Sequence, residues 1–103
     1  MVDYDVTDRE ADHASLVLRG DLVGDVSSEH LNGDLERHYV DDGVKEIRVD
    51  LAGLTSITLE GVAILLDLWQ ESRQRGKHFV VHDAPAEVRD KLEVTGVLRM
   101  LAG

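Results

Sequence analysis

Apolar and polar residues alternate in several short segments of the chain, while elsewhere the apolar residues recur every three or four positions. Alternation over Val2–Val6, Ala14–Arg19 and Glu46–Leu51 predicts β-strands, because successive side chains of a strand point to opposite faces. Lys77–His82 predicts a further strand. The acidic segment between the first two strands favours a hairpin, whereas the glycines of 20–25 predict a loop after the second strand.

The first helix is predicted by a stripe of apolar residues, Leu31, Leu35 and Tyr39, at four-residue spacing. Its N-cap would be one of the short oxygen-bearing side chains before it, which satisfy the free amides of a first turn. The candidates are Asp25, Ser27 and Ser28. The sequence Asp-Asp-Gly at 41–43 ends the helix.

Two more helices and a closing turn follow. Thr58 is the predicted N-cap of the second helix, and Gly76 is the predicted residue just past its end. The predicted inward side chains of this helix are Val62, Leu65, Leu66 and Trp69. The third helix would begin with Pro85 in its first turn and end at Gly96, and Val97–Leu101 would form a short final turn. Its predicted inward side chains are Val88, Leu92 and Val94.

The order of elements predicts a single α/β domain over residues 1–103. After the opening hairpin, strands alternate with helices, which implies neighbouring parallel strands joined by helical crossovers. We therefore expect a mixed sheet of four to five strands with helices packed on it.

Composition narrows the possible partners. The 103 residues carry a formal charge of −10 and no cysteine. Such a chain lacks the cationic surface that nucleic acid or an anionic membrane requires, and it has no disulfide or thiolate chemistry. The acidic N-terminus is unlike a secretory signal, and the apolar run Val62–Leu66 is far shorter than the roughly 18 residues of a membrane span. We expect a soluble, cytoplasmic protein.

Patterns typical of catalysis or of cofactor binding are missing from the sequence. His78 and His82 would stand roughly 13 Å apart on a strand, and His30 and His38 about 12 Å apart on a helix, too far for one ion in either case. No serine lies in a Gly-x-Ser-x-Gly setting, and no glycine-rich phosphate loop is present. The sequence predicts neither an enzyme, nor a metal site, nor a cofactor.

The most informative segment is the start of the second helix. With Thr58 as the N-cap, Glu60 lies in the first turn and is followed by Gly61. Free amides and the positive end of the helix dipole stabilise an anion at this point. A carboxylate at a helix start is therefore a sufficient structural explanation of Glu60.

Three segments carry a resemblance to a known family. Val49–Leu66 is similar to the motif V-D-L-S-G-V-x-F-I-D-S-S-G-L-G-V-L-L of STAS domains, the family of bacterial anti-sigma-factor antagonists and of the cytoplasmic domains of sulfate transporters. The segment 19–31 resembles that family's G-E-L-D segment and first helix, and 75–101 resembles its last strand and its V-x-x-x-L-x-x-T-G-L ending. The resemblance covers essentially the whole chain and implies the sheet-plus-helices fold derived above.

The resemblance also implies a function by partner switching. In such antagonists an anti-sigma factor that is also a serine kinase phosphorylates a serine at this helix start, which breaks the complex. Here Gly61 matches the motif glycine, Thr58 falls on the motif aspartate and Leu59 on the first serine. Glu60 takes the place of the phosphorylated serine, and Val23 that of the G-E-L-D aspartate.

The substitution leaves three interpretations. In the first, Glu60 mimics the phosphorylated state. In the second, Glu60 makes the protein an antagonist that the kinase cannot phosphorylate. In the third, the phospho-acceptor is Thr58, Ser56 or Thr55 instead. The first would leave the protein a poor binder of a kinase-type anti-sigma factor, whereas the second requires a partner whose surface accepts the carboxylate. The leading hypothesis is one docking face for an anti-sigma factor of the serine-kinase type. The alternative partner is a subunit of an ABC-type lipid or solute transport complex. The expected docking residues are Asp21, Leu22, Val23, Gly24, Asp25, Ser56, Thr58, Leu59, Glu60, Gly61 and Val62.

Overall fold

The computed structural model describes residues 2–101 as four strands and four helices. The strands are β1 (Val2–Val6), β2 (His13–Leu22), β3 (Glu46–Ile57) and β4 (His78–His82). The helices are α1 (Ser28–Tyr39), α2 (Leu59–Gln74), α3 (Ala86–Val94) and α4 (Leu98–Leu101). The element order is the one that the sequence predicts.

The strands form one four-stranded sheet in the order β1-β2-β3-β4. The predicted hairpin is confirmed, because β1 pairs antiparallel with β2. The β2–β3 and β3–β4 pairs are parallel, with α1 and α2 as the crossovers. The sheet is therefore mixed, and the parallel strands place the carboxyl end of β2 beside that of β3.

The helices cover one face of the sheet. Ala14, Leu16 and Leu18 of β2 are buried, and so are alternate residues of β3, whereas the residues between them are partly exposed. The inward faces of α1, α2 and α3 belong to the same apolar core. The other face of the sheet is open to solvent and carries charged side chains, including Arg19, which binds the carboxylates of Asp3 and Asp5.

The predicted ends of β2 and β3 were wrong. Both strands extend beyond the alternating segments, β2 to Leu22 and β3 to Ile57. The register shifts twice along the β2–β3 pair, so that buried Leu54 and Ile57 are three residues apart and strict alternation fails. Residues 20–22 of the predicted loop and residues 55–57 before the second helix are thus strand, whereas 23–25 form the loop that the sequence predicts.

The helix predictions need three corrections. Pro85 is the N-cap residue of α3 and not part of its first turn. Val94 is 85% exposed, because six residues from Val88 is not a whole number of helical turns. The buried face of α2 also includes Ile64 and Leu68, whereas Leu66 and Trp69 are only partly buried. The remaining inward residues of the three helices are confirmed as core.

Within residues 2–101, no helix combines the length and the apolar character that crossing a bilayer requires.

Candidate functional site

The end of β2 and the start of α2 lie against each other. The carbonyl oxygen of Leu22 accepts a hydrogen bond from the amide of Thr58 at 3.1 Å. Beyond β2, Gly24 has a φ of +96°, and a Cβ at this position would lie 3.0 Å from the Cβ of Glu60. The two segments that the sequence assigns to one docking face are therefore in contact, and Glu60 is the residue of the helix start that meets Gly24.

The first turn of α2 is capped as predicted. The side-chain oxygen of Thr58 accepts from the amide of Gly61 at 3.3 Å. The amide of Glu60 itself and the hydroxyl of Thr58 hydrogen bond to the Glu60 carboxylate and lower the pKa of that group. Glu60 is exposed and stays ionised at neutral pH, so the negative charge at this helix start is permanent.

A second carboxylate ties the two strands together at the same edge. The Oδ1 atom of Asp21 accepts from the hydroxyls of Thr55 at 2.6 Å and Ser56 at 2.7 Å. These two hydrogen bonds lower the pKa of Asp21. The pairing was missed in the sequence because it depends on the β2–β3 register, which sets Asp21 opposite Ser56 only after the second shift.

The three alternative phospho-acceptors all form hydrogen bonds through their hydroxyl groups. The hydroxyls of Thr55 and Ser56 donate to Asp21, and that of Thr58 caps α2. Thr55 is exposed, whereas Ser56 and Thr58 are half-buried. A kinase would have to break an existing hydrogen bond to reach any of them.

The predicted docking residues divide into a surface set and a supporting set. Leu22, Gly61 and Val62 are buried and support the surface from beneath. The rest are exposed or half-buried, and we call them the loop–helix face. The loop–helix face consists of Asp21, Val23, Gly24, Asp25, Ser56, Thr58, Leu59 and Glu60.

The loop–helix face combines negative charge with exposed apolar side chains. Its ionisable residues are all carboxylates, Asp21, Asp25 and Glu60. Val23 is 38% exposed and Leu59 is 64% exposed, so each segment contributes one apolar side chain. Apolar side chains flanked by charges of one sign are suited to a protein partner of opposite charge.

A hollow of about 590 Å³ lies elsewhere, between α1 and α2, and shares no residue with the loop–helix face. Most of its lining residues are polar or charged, and Tyr39 and Arg75 are among them. The loop–helix face itself consists of exposed and half-buried residues, which suits contact with a protein.

The solved structures that share the fold include an anti-sigma factor antagonist and two proteins of transporter families. The anti-sigma factor antagonist SpoIIAA in its unphosphorylated form aligns with a TM-score of 0.75 and 14% identity, over 95% of this chain and 84% of that chain. A sulfate transporter family protein from Wolinella succinogenes aligns with a TM-score of 0.73 and 15% identity, over 93% of this chain and 76% of that one. The murine anion transporter Slc26a9 aligns with a TM-score of 0.74 and 16% identity, over 89% of this chain but 15% of that chain.

Comparison of the sequence with family models identifies the family, whereas the solved structures show the fold. No curated protein sequence is significantly similar to this chain. A family model described as "Mlab, STAS domain" matches residues 6–102. This match spans β2, α1, β3 and the helix start at Thr58, the segments on which the resemblance rested. The chain therefore belongs to the STAS domain family.

Proposed function

We propose that this protein is a non-enzymatic, cytoplasmic protein-binding module of the anti-sigma-factor-antagonist type, which docks through the loop–helix face. The observation that carries the proposal is the contact of Gly24 with Glu60, which joins the loop and the helix start into one continuous surface. The fold shared with SpoIIAA, an anti-sigma factor antagonist, supports the choice of partner class. The expected partner is an anti-sigma factor of the serine-kinase type.

Of the three interpretations of Glu60, the structure favours a partner that accepts the carboxylate. Exposed Val23 and Leu59 provide apolar contact area beside the charge. A carboxylate has one charge and two oxygens, against nearly two charges and three oxygens for a phosphate, so Glu60 is a poor copy of a phosphorylated serine. The complementary surface would present a cationic side chain to Glu60 and an apolar one to Leu59.

The test begins with the native complex. The protein, as wild type and as Glu60→Ser, is recovered with its bound partner from its own cytoplasm, and the partner and any phosphate on Thr55, Ser56 or Thr58 are identified by mass spectrometry. Recovery of an anti-sigma factor or kinase supports the proposal. The proposal is contradicted if neither the wild type nor Glu60→Ser recovers an anti-sigma factor or a kinase.

Affinities for the purified partner then test the surface. Leu59→Asp and Glu60→Lys should each weaken binding by at least about tenfold, because one loses apolar contact and the other reverses the charge. Val94→Asp is the matched control, since Val94 is also an exposed apolar residue near a helix end, on α3. Equal affinities for all four proteins would place the interface elsewhere.

The sign of the Glu60→Ser effect separates two interpretations. Weaker binding of the serine variant means that the partner accepts the carboxylate. Tighter binding means that Glu60 imitates a phosphorylated, binding-poor state.

The alternative partner is a subunit of an ABC-type lipid or solute transport complex, clasped by the same face. The observation that favours it is that two of the structural neighbours are transport proteins, a sulfate transporter family protein and the anion transporter Slc26a9. Recovery of a transporter ATPase in the native complex would establish this alternative.

A further inference from the structure

An imidazole and two carboxylates converge on the open face of the sheet, at the end of β4. Asp50 of β3 and His82 of β4 are register partners in the parallel pair, so their side chains lie side by side on one face. Asp83 follows directly, with a φ of +59°, and its Oδ2 lies 2.8 Å from Nδ1 of His82. One nitrogen or oxygen from each of the three residues lies within 4.8 Å of the other two.

The charge balance of this cluster differs from that of its neighbours. On the same sheet face, Asp3 and Asp5 are paired with Arg19, and Glu46 is paired with Arg48. Within residues 2–101, by contrast, neither Asp50 nor Asp83 forms an ion pair with a lysine or an arginine. Two carboxylates are thus grouped with a single imidazole, and no lysine or arginine of the described residues pairs with either of them.

We propose that Asp50, His82 and Asp83 bind a divalent transition-metal ion of the Zn²⁺ class. A neutral imidazole is a ligand for zinc and its neighbours in the first transition row, whereas calcium and magnesium sites are built from oxygen atoms. A spacing of 4.8 Å or less lets three donors reach one ion at about 2.0–2.2 Å after small side-chain rotations. Three protein ligands leave at least one coordination position for water or for a partner's side chain.

The proposed site is separate from the loop–helix face. Ile57 at the end of β3 lies seven residues beyond Asp50, a distance of about 23 Å at 3.3 Å per residue. Metal binding and partner binding are therefore independent properties, and neither proposal depends on the other. This site could not be found from the spacing of the histidines along the sequence. The residue beside His82 on the neighbouring strand is Asp50, which is distant in the chain.

The test is isothermal titration of the full chain, without a polyhistidine tag, with ZnCl₂ near pH 7.5. We expect saturable binding of one ion, and we expect His82→Ala and Asp50→Asn each to weaken it by about tenfold or more. His78→Ala is the matched control, because His78 lies on the same strand and the same face, opposite Glu46. It should bind as the wild type does.

Three results would overturn the proposal: no saturable binding by the wild type, unchanged binding by His82→Ala, or an equal loss in His78→Ala. Circular dichroism and thermal unfolding of each variant exclude loss of the fold as the cause. A shift of the His82 ring resonances on addition of Zn²⁺, without a comparable shift at His78, would assign the ion to this cluster directly.

Discussion

Gly61 lies directly against the carbonyl group of Leu22. A Cβ on Gly61 would stand 2.2 Å from that oxygen and 2.8 Å from Cγ1 of Ile57. The same oxygen accepts the amide of Thr58, so the end of β2 holds the start of α2 through one backbone group. The glycine that the family motif carries here is thus a steric requirement of the junction between strand and helix.

This contact predicts that Gly61→Ala destabilises the protein by about 3 kcal/mol, since neither backbone atoms nor the buried Ile57 can yield without moving α2. Gly33→Ala is the control. Gly33 lies inside α1 with no atom within 4 Å of a built Cβ, so alanine there should stabilise the protein by about 1 kcal/mol through helix propensity. Urea unfolding measures both. A neutral Gly61→Ala would contradict the close packing.

The cap of α2 predicts a linked effect on stability and on the pKa of Glu60. Thr58→Ala should cost about 1 kcal/mol in the free energy of unfolding and should raise the pKa of Glu60 towards its ordinary value, because the hydroxyl that stabilises the carboxylate is gone. Thr58→Ser keeps the hydroxyl and should keep both quantities. Urea unfolding and an NMR titration of the Glu60 carboxyl carbon provide the two measurements.

The pH dependence of Glu60 follows from its lowered pKa. Its contribution to stability is present above the pKa of the unfolded chain and is lost as pH falls through the lower folded value. The difference in stability between wild type and Glu60→Gln should therefore vanish at acid pH. A difference that stays constant down to acid pH would mean that the carboxylate has no such bond.

An alkaline transition is expected from Tyr4 of β1. Its hydroxyl donates to Oδ2 of Asp34 on α1 at 2.5 Å. Partial burial and this bond raise the pKa of Tyr4 to about 12. A raised pKa means that the stabilisation is complete below about pH 10, the ordinary tyrosine value, and is lost as pH rises through the folded value.

Absorbance at 295 nm follows this ionisation. Tyr4→Phe should remove the late step, and Asp34→Asn should move it to lower pH, because the neighbouring negative charge is removed. Tyr39, whose pKa burial also raises, supplies the reference signal in all variants. Ionisation of Tyr4 near pH 10 in the folded wild type would argue against the bond with Asp34.

Truncation of two leucines of α2 should affect stability to very different extents. Leu65→Ala should cost about 2–5 kcal/mol, because Leu65 is fully buried and its removal leaves a cavity. Leu59→Ala should change stability by less than about 0.5 kcal/mol, since its side chain is mostly exposed. Under the proposed function, Leu59→Ala should weaken partner binding although the variant remains stable. A large loss of stability on truncating Leu59 would make it a core residue instead of a docking residue.

Local signals accounted for most of the elements. The alternation in β1 and the four-residue spacing of Leu31, Leu35 and Tyr39 were sufficient, because each pattern is repeated within a single segment. Thr58 and Gly76 were found for the same reason, since a cap and a positive φ of 76° depend on neighbours in the chain. The family motif around Glu60 was recognisable because its residues are contiguous.

Relationships between strands could not be derived in this way. The hydrogen bonds of Asp21 with Thr55 and Ser56 depend on two register shifts, and no local pattern records them. The prediction that Val94 faces inward was wrong, because a helix as short as α3 has too few turns to define its inward stripe.

The order of residues was enough to predict which segments form strands and helices, that an anion stands permanently at the start of α2, and which family the chain resembles. The contacts of Gly24 with Glu60, of Leu22 with Gly61 and of Asp50 with His82 became visible only in the folded chain. This division reflects the range of the interactions involved. Secondary structure and caps arise from neighbours along the chain, whereas sites arise where sheet register and helix packing bring distant residues into contact.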